Sequence, residues 1–317
     1  VNEVYRTFIE KFNVPENLRN HLQIIFNREE AILLNYLNDK EENIPNLINK
    51  FPELTPKLIE SLYKKGYLIR KLEKGTFYYM SNTFDQILKR FVNHDLKFQK
   101  LSSEIKAKFQ EYIMEIYLQK MKDSKKPVYR VIPIEKTIPD KRQLIPYYQA
   151  IHYLKKASIL ALIDCICRTT HQKCEKPRRV CLALGDQAKF FIEREIGEEI
   201  NVEKGLEILN IAEENGLVHS IDNKEEPSFL CNCCECCCVF VQGLKKYGIF
   251  TSIGKSGFIA IQNSESCDDC GICVEKCIFE AISYTEGKIQ FNENKCFGCG
   301  HCAYHCPQNA IKLIQKK

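Results

Sequence analysis

Cysteine is absent from residues 1–164, although the 317-residue chain contains 18 of them. A disulfide framework staples small, core-poor stretches of chain. It would not leave half a chain without a thiol and then place six in the eight residues Cys231–Cys238. Long apolar runs are also missing. No segment approaches the roughly 20 residues a bilayer span needs, and the mean hydropathy is −0.30. The first ten residues carry acids and lack an apolar stretch, so no secretory leader is read there, and the numbering begins on Val1, which leaves a trimmed start open. Charge of one sign is scarce as well. Lys+Arg 46 against Asp+Glu 41 leaves +5, too mild for a general polyanion binder. No C-x3-C-x2-C and no G-x-G-x-x-G after a strand occurs. Gly248 to Ser256 reads G-x5-G-K-S, one residue too long for a phosphate loop, which makes Lys255 an ordinary loop lysine. What remains is a chain with 44% apolar residues, enough for a core, and thiols deployed as metal ligands in a reducing compartment. The expected setting is the cytoplasm of an anaerobe.

Residues 1–80 pattern as helices followed by a hairpin. Asn20–Leu37 is apolar at helical spacing through Leu22, Ile25, Phe26, Ala31, Leu33, Leu34 and Leu37. A short segment at Ile44–Ile48 follows. Thr55 and Pro56 then supply an N-cap and a first helical turn, and Gly66 ends that helix. Tyr67–Arg70, a Lys74-Gly75 turn and Thr76–Met80 form the hairpin. The order of elements resembles the winged helix-turn-helix fold.

From Phe84 to Met121 the apolar positions advance by threes and fours, which predicts an amphipathic helix or helix pair. It reads as a connector packed on a neighbour or as a seam for a homodimer. The polar break at Lys120–Lys126 closes it. Val128–Ile138 reads as extended, with Pro133 and Pro139 confining it to an edge or loop. Helices are expected at Tyr147–Ser158, Phe190–Glu195 and Val202–Asn215, and a strand at Leu217–His219. The expected organisation is multidomain α+β: a winged-helix domain (1–80), an α-helical connector (81–126), a cysteine-rich α+β middle domain (127–257) and a small C-terminal domain (258–317).

The C-terminal stretch is an internal repeat. Cys267, Cys270, Cys273 and Cys277 are spaced C-x2-C-x2-C-x3-C, and Cys296, Cys299, Cys302 and Cys306 repeat that spacing 29 residues later. Two-residue gaps let a loop wrap a cubane and offer three thiolates to three irons. This segment resembles the bacterial two-cluster ferredoxin. The resemblance implies two [4Fe-4S] clusters with crossed fourth ligands: Cys267, Cys270, Cys273 and Cys306 on one, and Cys296, Cys299, Cys302 and Cys277 on the other. Ile278 stands where that family commonly has proline, which Pro307 keeps in the second half.

The middle cysteines follow a less standard pattern. Cys165, Cys167, Cys174 and Cys181 supply four thiols, and Cys231, Cys233, Cys234, Cys236, Cys237 and Cys238 supply six. The region is similar to the cysteine-rich part of uncharacterised iron–sulfur proteins of anaerobes. Ten thiols suffice for one or two further iron–sulfur clusters, and both groups are expected to meet in one metal-centred core. Neighbouring cysteines point in different directions, so the six cannot all face one small cluster. Arg168, Lys173, Lys176, Arg178 and Arg179 are cations that would offset cluster charge. His171, His301 and His305 stand beside cysteine loops and read as surface histidines.

Three functions fit these observations. The first is single-electron transfer to or from a redox protein partner or oxidoreductase complex. The second is a redox-sensing regulator in which the winged helix binds DNA. The third is a reductase with a catalytic middle-domain cluster. DNA binding is open but not favoured, because residues 1–80 carry twelve basic and eleven acidic side chains, with only Lys57, Lys64 and Lys65 on the candidate recognition helix and Arg70, Lys71 and Lys74 on the wing.

Overall fold

Asn27 stops one helix and starts the next. Its side chain accepts the Glu30 backbone N–H at 2.8 Å, while the Glu30 carboxylate accepts the Asn27 N–H at 2.8 Å. Such a reciprocal cap contributes on the order of 1 kcal/mol. It divides the single helix expected over Asn20–Leu37 into Leu22–Ile25 and Arg28–Leu37. The computed structural model describes residues 3–316, which fall into two units. One holds the residues up to Tyr117 with Glu193–Ile196, and the other holds Leu118–Ile192 and the chain from Gly197 onward.

In the first unit, helices Glu3–Lys11, Arg28–Leu37, Ile44–Lys50 and Pro56–Lys64 accompany a three-stranded antiparallel sheet. Its order is Glu42–Asn43, Thr76–Ser81, Leu68–Glu73. Thr55 caps the last of those helices by accepting the Leu58 N–H. Lys74 and Gly75 both adopt positive φ, +45° and +81°, which a two-residue turn with the right-handed twist of its strands requires. The amphipathic stretch forms three helices, Phe84–His94, Leu96–Gln99 and Ser103–Asp123. Phe84, Leu88, Phe91, Phe98 and Phe109 bury in the same core as Phe8, Leu34 and Leu62, so much of that apolar face is covered within the chain.

The second unit is built on a seven-stranded mixed sheet. Its order is Ile253–Gly254, Tyr129–Val131, Val218–Asp222, Phe229–Cys233, Arg179–Leu184, Leu160–Asp164, Glu198–Ile200. The first two strands run parallel and every other neighbouring pair runs antiparallel. The structure corrects the edge-or-loop reading of Val128–Ile138. Tyr129–Val131 lies inside the sheet, because it ends two residues before Pro133 and the missing N–H falls beyond the ladder.

Side-chain alternation gives the sheet two distinct faces. Leu160, Leu162, Val180, Leu182, Ile221 and Leu230 pack under helices Ala150–Lys156 and Val202–Glu214. Each such buried aliphatic side chain contributes about 1.5–3 kcal/mol. Val131, Val218, Cys233 and Ile253 face the other way, into a core shared with Ile278 and Phe279 of the C-terminal repeat. In that repeat the strand pairs are Phe258–Gln262 with Ile311–Gln315 and Ile282–Thr285 with Lys288–Phe291. Short helices Ile272–Glu275 and His301–Tyr304 follow the two cysteine loops.

Candidate metal centres

The two halves of the repeat cross. Cys267, Cys270 and Cys273 line a cavity together with Cys306, from the far half. Cys296, Cys299 and Cys302 line a second together with Cys277. Equivalent backbone groups serve the two crossing thiols: Ala281 N–H donates to Cys277 Sγ and Ala310 N–H to Cys306 Sγ, each at 3.3 Å. Gly298, at φ +66°, is required by close approach, since a Cβ there would lie 2.2 Å from the Phe258 carbonyl oxygen. Burial pushes the Cys273 thiol up to about 11 and Cys299 up to about 12. Clustered thiols that accept backbone N–H bonds, at Cys267, Cys277 and Cys306, fit a group that displaces their protons, as iron does.

The middle cysteines sort into six and four. Cys181 lies on strand Arg179–Leu184, and Cys231 and Cys233 on Phe229–Cys233. Pairing of Leu182 with Leu230 sets these three on one face. Cys165 precedes helix Ile166–His171, which carries Cys167, and Cys238 precedes helix Val239–Lys245. The thiols contact one another in a ring: Cys165 with Cys167, Cys167 with Cys238, Cys238 with Cys233 at 3.2 Å, Cys231 with Cys181, and Cys181 with Cys165. Cys231 and Cys233 close the ring along their strand. The Ser220 hydroxyl touches Cys233 Sγ at 3.2 Å. All six are free thiols in contact, and none is disulfide-bonded.

The other four, Cys174, Cys234, Cys236 and Cys237, gather where the turn after Cys233 meets the loop after Gln172. Their sulfurs all lie within 4.8 Å of one another. They border the helix-covered core, whereas Cys231, Cys233 and Cys238 border the core shared with the repeat.

Arg168 stands between the two groups. It is 1% exposed, the largest side chain so deeply buried. Its Nε donates to the Pro177 carbonyl at 2.9 Å and its Nη1 to the Asn232 carbonyl at 2.8 Å. Burial disfavours its charge, but Cys165, Cys181 and Cys234 hold its pKa above the usual value. Burial would raise Cys234, yet its hydrogen bond from Arg168 wins and lowers it. Arg168 thus sits among the middle thiols, whereas Arg179 is bound to Asp164 and Glu198 at the surface.

A buried polar chain runs through the helix-covered face. His219 Nδ1 meets Asn232 Oδ1 at 2.6 Å, and its Nε2 lies 3.4 Å from Glu213 Oε1. Nothing in the sequence pattern singles out His219. Its strand alternates it to the same face as Asn232, which the registry of pairing reveals. The surface reading of His301 is overturned: it is 1% exposed, and its Nε2 donates to the Leu217 carbonyl at 3.0 Å. His305 Nε2 donates to the Glu213 carbonyl at 3.1 Å. These two bonds tie the repeat to the seven-stranded sheet. His171 lies in helix Ile166–His171, with its pKa lowered by burial and by Lys173.

Residues 266–311 match the family model of the 4Fe-4S dicluster domain, and the C-terminal part of the chain is an iron–sulfur domain of ferredoxin type. An uncharacterized ferredoxin of Methanocaldococcus jannaschii is 34% identical over 92 residues, 28% of this chain and 53% of that protein. Hydrogenase-4 component A of Escherichia coli is 34% identical over 84 residues, 26% of this chain and 40% of that protein. Pyruvate synthase subunit PorD of Thermotoga maritima is 41% identical over 54 residues, 17% of this chain and 54% of that protein. The chain spans about half the length, or less, of these curated relatives. No solved structure matches it.

Proposed function

We propose that this chain is an iron–sulfur electron-transfer protein that passes single electrons to or from a redox partner or an oxidoreductase complex. Cys267, Cys270, Cys273 and Cys306 hold one [4Fe-4S] cluster, and Cys277, Cys296, Cys299 and Cys302 the other. The ring of Cys165, Cys167, Cys181, Cys231, Cys233 and Cys238 holds at least one further iron–sulfur cluster. One observation carries the reading: Cys233 and Cys238 of the ring border the same buried apolar group as Cys277 and Cys299 of the repeat. Ile278 and Phe279 fill that group, and Phe279 stacks on Phe297 with ring centroids 4.1 Å apart. A dry, close-packed junction between two thiol sites suits electron passage and excludes solvent.

Cys270 is the exposed member of its quartet, so the partner's electron enters or leaves at that end. Relatives named as a hydrogenase component and a pyruvate synthase subunit support an oxidoreductase setting. The N-terminal unit is a winged helix used to dock protein. Its near-neutral charge and the exposed apolar residues Ile69, Leu72 and Phe77 on its hairpin support that use.

The test is an anaerobic iron and sulfide determination combined with an EPR redox titration of the full chain. The expected result is more than about eight irons per chain, with reduced signals that broaden each other magnetically. An iron content that stops at about eight would leave the ring without a cluster and end the relay reading.

A further inference from the structure

The ten middle thiols are not equivalent, and their spacing separates two kinds of metal chemistry. A thiolate quartet on a cubane places each sulfur on a different iron, so the sulfurs stand apart by the width of a cluster. A quartet on a single ion converges on one point. With a zinc–sulfur bond of about 2.3 Å, a tetrahedral site has sulfur–sulfur edges of about 3.8 Å.

Both patterns occur in this chain. The sulfurs of each quartet of the C-terminal repeat do not all lie within 4.8 Å of one another. Among the described residues, the one group of metal-ligating side chains whose donor atoms all lie within 4.8 Å of one another is Cys174, Cys234, Cys236 and Cys237. Three of its six edges are 3.6 Å for Cys236–Cys237, 3.8 Å for Cys234–Cys236 and 4.0 Å for Cys174–Cys237. These bracket the tetrahedral value, and all exceed the roughly 2.05 Å of a disulfide by far.

We infer that Cys174, Cys234, Cys236 and Cys237 form a structural site for a single zinc ion, separate from the iron–sulfur chemistry of the six-thiol ring. Four protein thiols leave no open coordination position, which is the mark of a structural site. Hydrogen bonds favour the thiolate at Cys234, while burial raises Cys236 and pushes Cys237 up to about 11, so the ion itself would displace their protons. The Arg168 guanidinium and the Cys237 backbone N–H both hydrogen-bond Cys234, and the Lys173 backbone N–H hydrogen-bonds Cys237. The ion would pin the Gln172–Arg178 loop to the turn after strand Phe229–Cys233. That tie fixes the ends of the two segments that supply the six-thiol ring. The inference stands independently of what the ring holds.

The test uses the full chain, produced with both iron and zinc in the medium and purified without oxygen. Elemental analysis should find about one zinc per chain. Cys236→Ser and Cys174→Ser should each lose that zinc and keep the iron content of the parent. Loss of about four irons in these variants would show a cubane instead, and loss of a single iron with no zinc present would show an iron site; either result overturns the inference. Zinc-edge X-ray absorption on the unaltered protein gives a reading that needs no variant to fold. A shell of four sulfurs at about 2.3 Å supports the site, and a shell of nitrogen or oxygen overturns it.

Discussion

Arg168 donates from Nη1 to the Asn232 carbonyl at 2.8 Å, and this bond anchors a buried cation between two sets of thiols. Asn232 is itself fully buried and holds His219 through its side chain. A charge so placed offsets thiolates on both sides. Arg168→Met should leave two carbonyls and the thiolates uncompensated, at a cost of about 3–5 kcal/mol. Arg168→Lys keeps the charge but cannot span Pro177 and Asn232 as a planar fork, so it should fall between the two. Anaerobic urea unfolding with metal analysis measures this. A methionine variant with parental stability and metal content would remove the role assigned to the cation.

Cys277 and Cys306 each point into the cavity of the opposite half. Cys306→Ala should therefore deplete the cluster of Cys267, Cys270 and Cys273 and spare the one at Cys296, Cys299 and Cys302. Cys277→Ala should do the reverse. EPR of the two variants, with the distinct signals compared one against the other, decides the matter. Damage confined to the adjacent loop in both variants would mean the crossing is not used for ligation.

These relations were readable from sequence to very different depths. The repeat spacing of Cys267–Cys306 is local, so eight thiols in two sets follow from it directly. The division of the other ten depends on strand pairing. Cys231 and Cys233 share a face by alternation, which the spacing alone suggests, but their meeting with Cys181 rests on the Leu182–Leu230 register. The run Leu160-Ala161-Leu162-Ile163 is buried on both faces of its strand, so no alternation announces it in the sequence. Val128–Ile138 misled through its prolines, since strand Tyr129–Val131 ends before Pro133. Asn27 breaks a helix that the apolar periodicity carries straight through.

Ile278 occupies the position where a proline is common, and here it is buried in the junction with Cys233 and Cys238. Ile278→Ala should destabilise the chain by about 2–4 kcal/mol through a cavity between the two thiol sites. Ile278→Val should cost about 1 kcal/mol. Chemical unfolding ranks the three proteins. An alanine variant as stable as the parent would mean the junction is not packed.

His94 ends helix Phe84–His94 with its pKa lowered to about 4, by burial first and then by the Arg90 charge. The neutral imidazole is the folded form, while an exposed histidine titrates near 6.5. Between those values the unfolded chain binds the extra proton, so stability is complete above about pH 6.5 and falls as pH drops toward 4. Moving from pH 7.5 to 5.5 should cost this helix about 1.4 kcal/mol. Hydrogen-exchange protection of Phe84–His94 in the full chain, corrected for intrinsic rates, reads the loss. His94→Gln should flatten the pH dependence, and an equal slope in that variant would assign the effect elsewhere.

The N-terminal unit should bind duplex DNA weakly or not at all at physiological salt. Phosphate contacts from Lys and Arg supply most of the affinity of a DNA reader, and each contact steepens the salt dependence. The Pro56–Lys64 helix and the residue after it carry only Lys57, Lys64 and Lys65. Lys65 pairs with Glu30 at 2.7 Å, and Arg70 on the hairpin lies 3.7 Å from Glu60. Lys71 on the same strand pairs with Glu73. Three of the cations best placed for phosphates thus already face carboxylates, and the hairpin offers Leu72 at 61% exposure and Phe77 at 43%. That surface suits a protein partner. Fluorescence anisotropy with mixed-sequence duplexes at about 150 mM salt should show no saturable binding below micromolar concentrations. Sequence-specific binding that survives this salt would promote the regulator reading over docking.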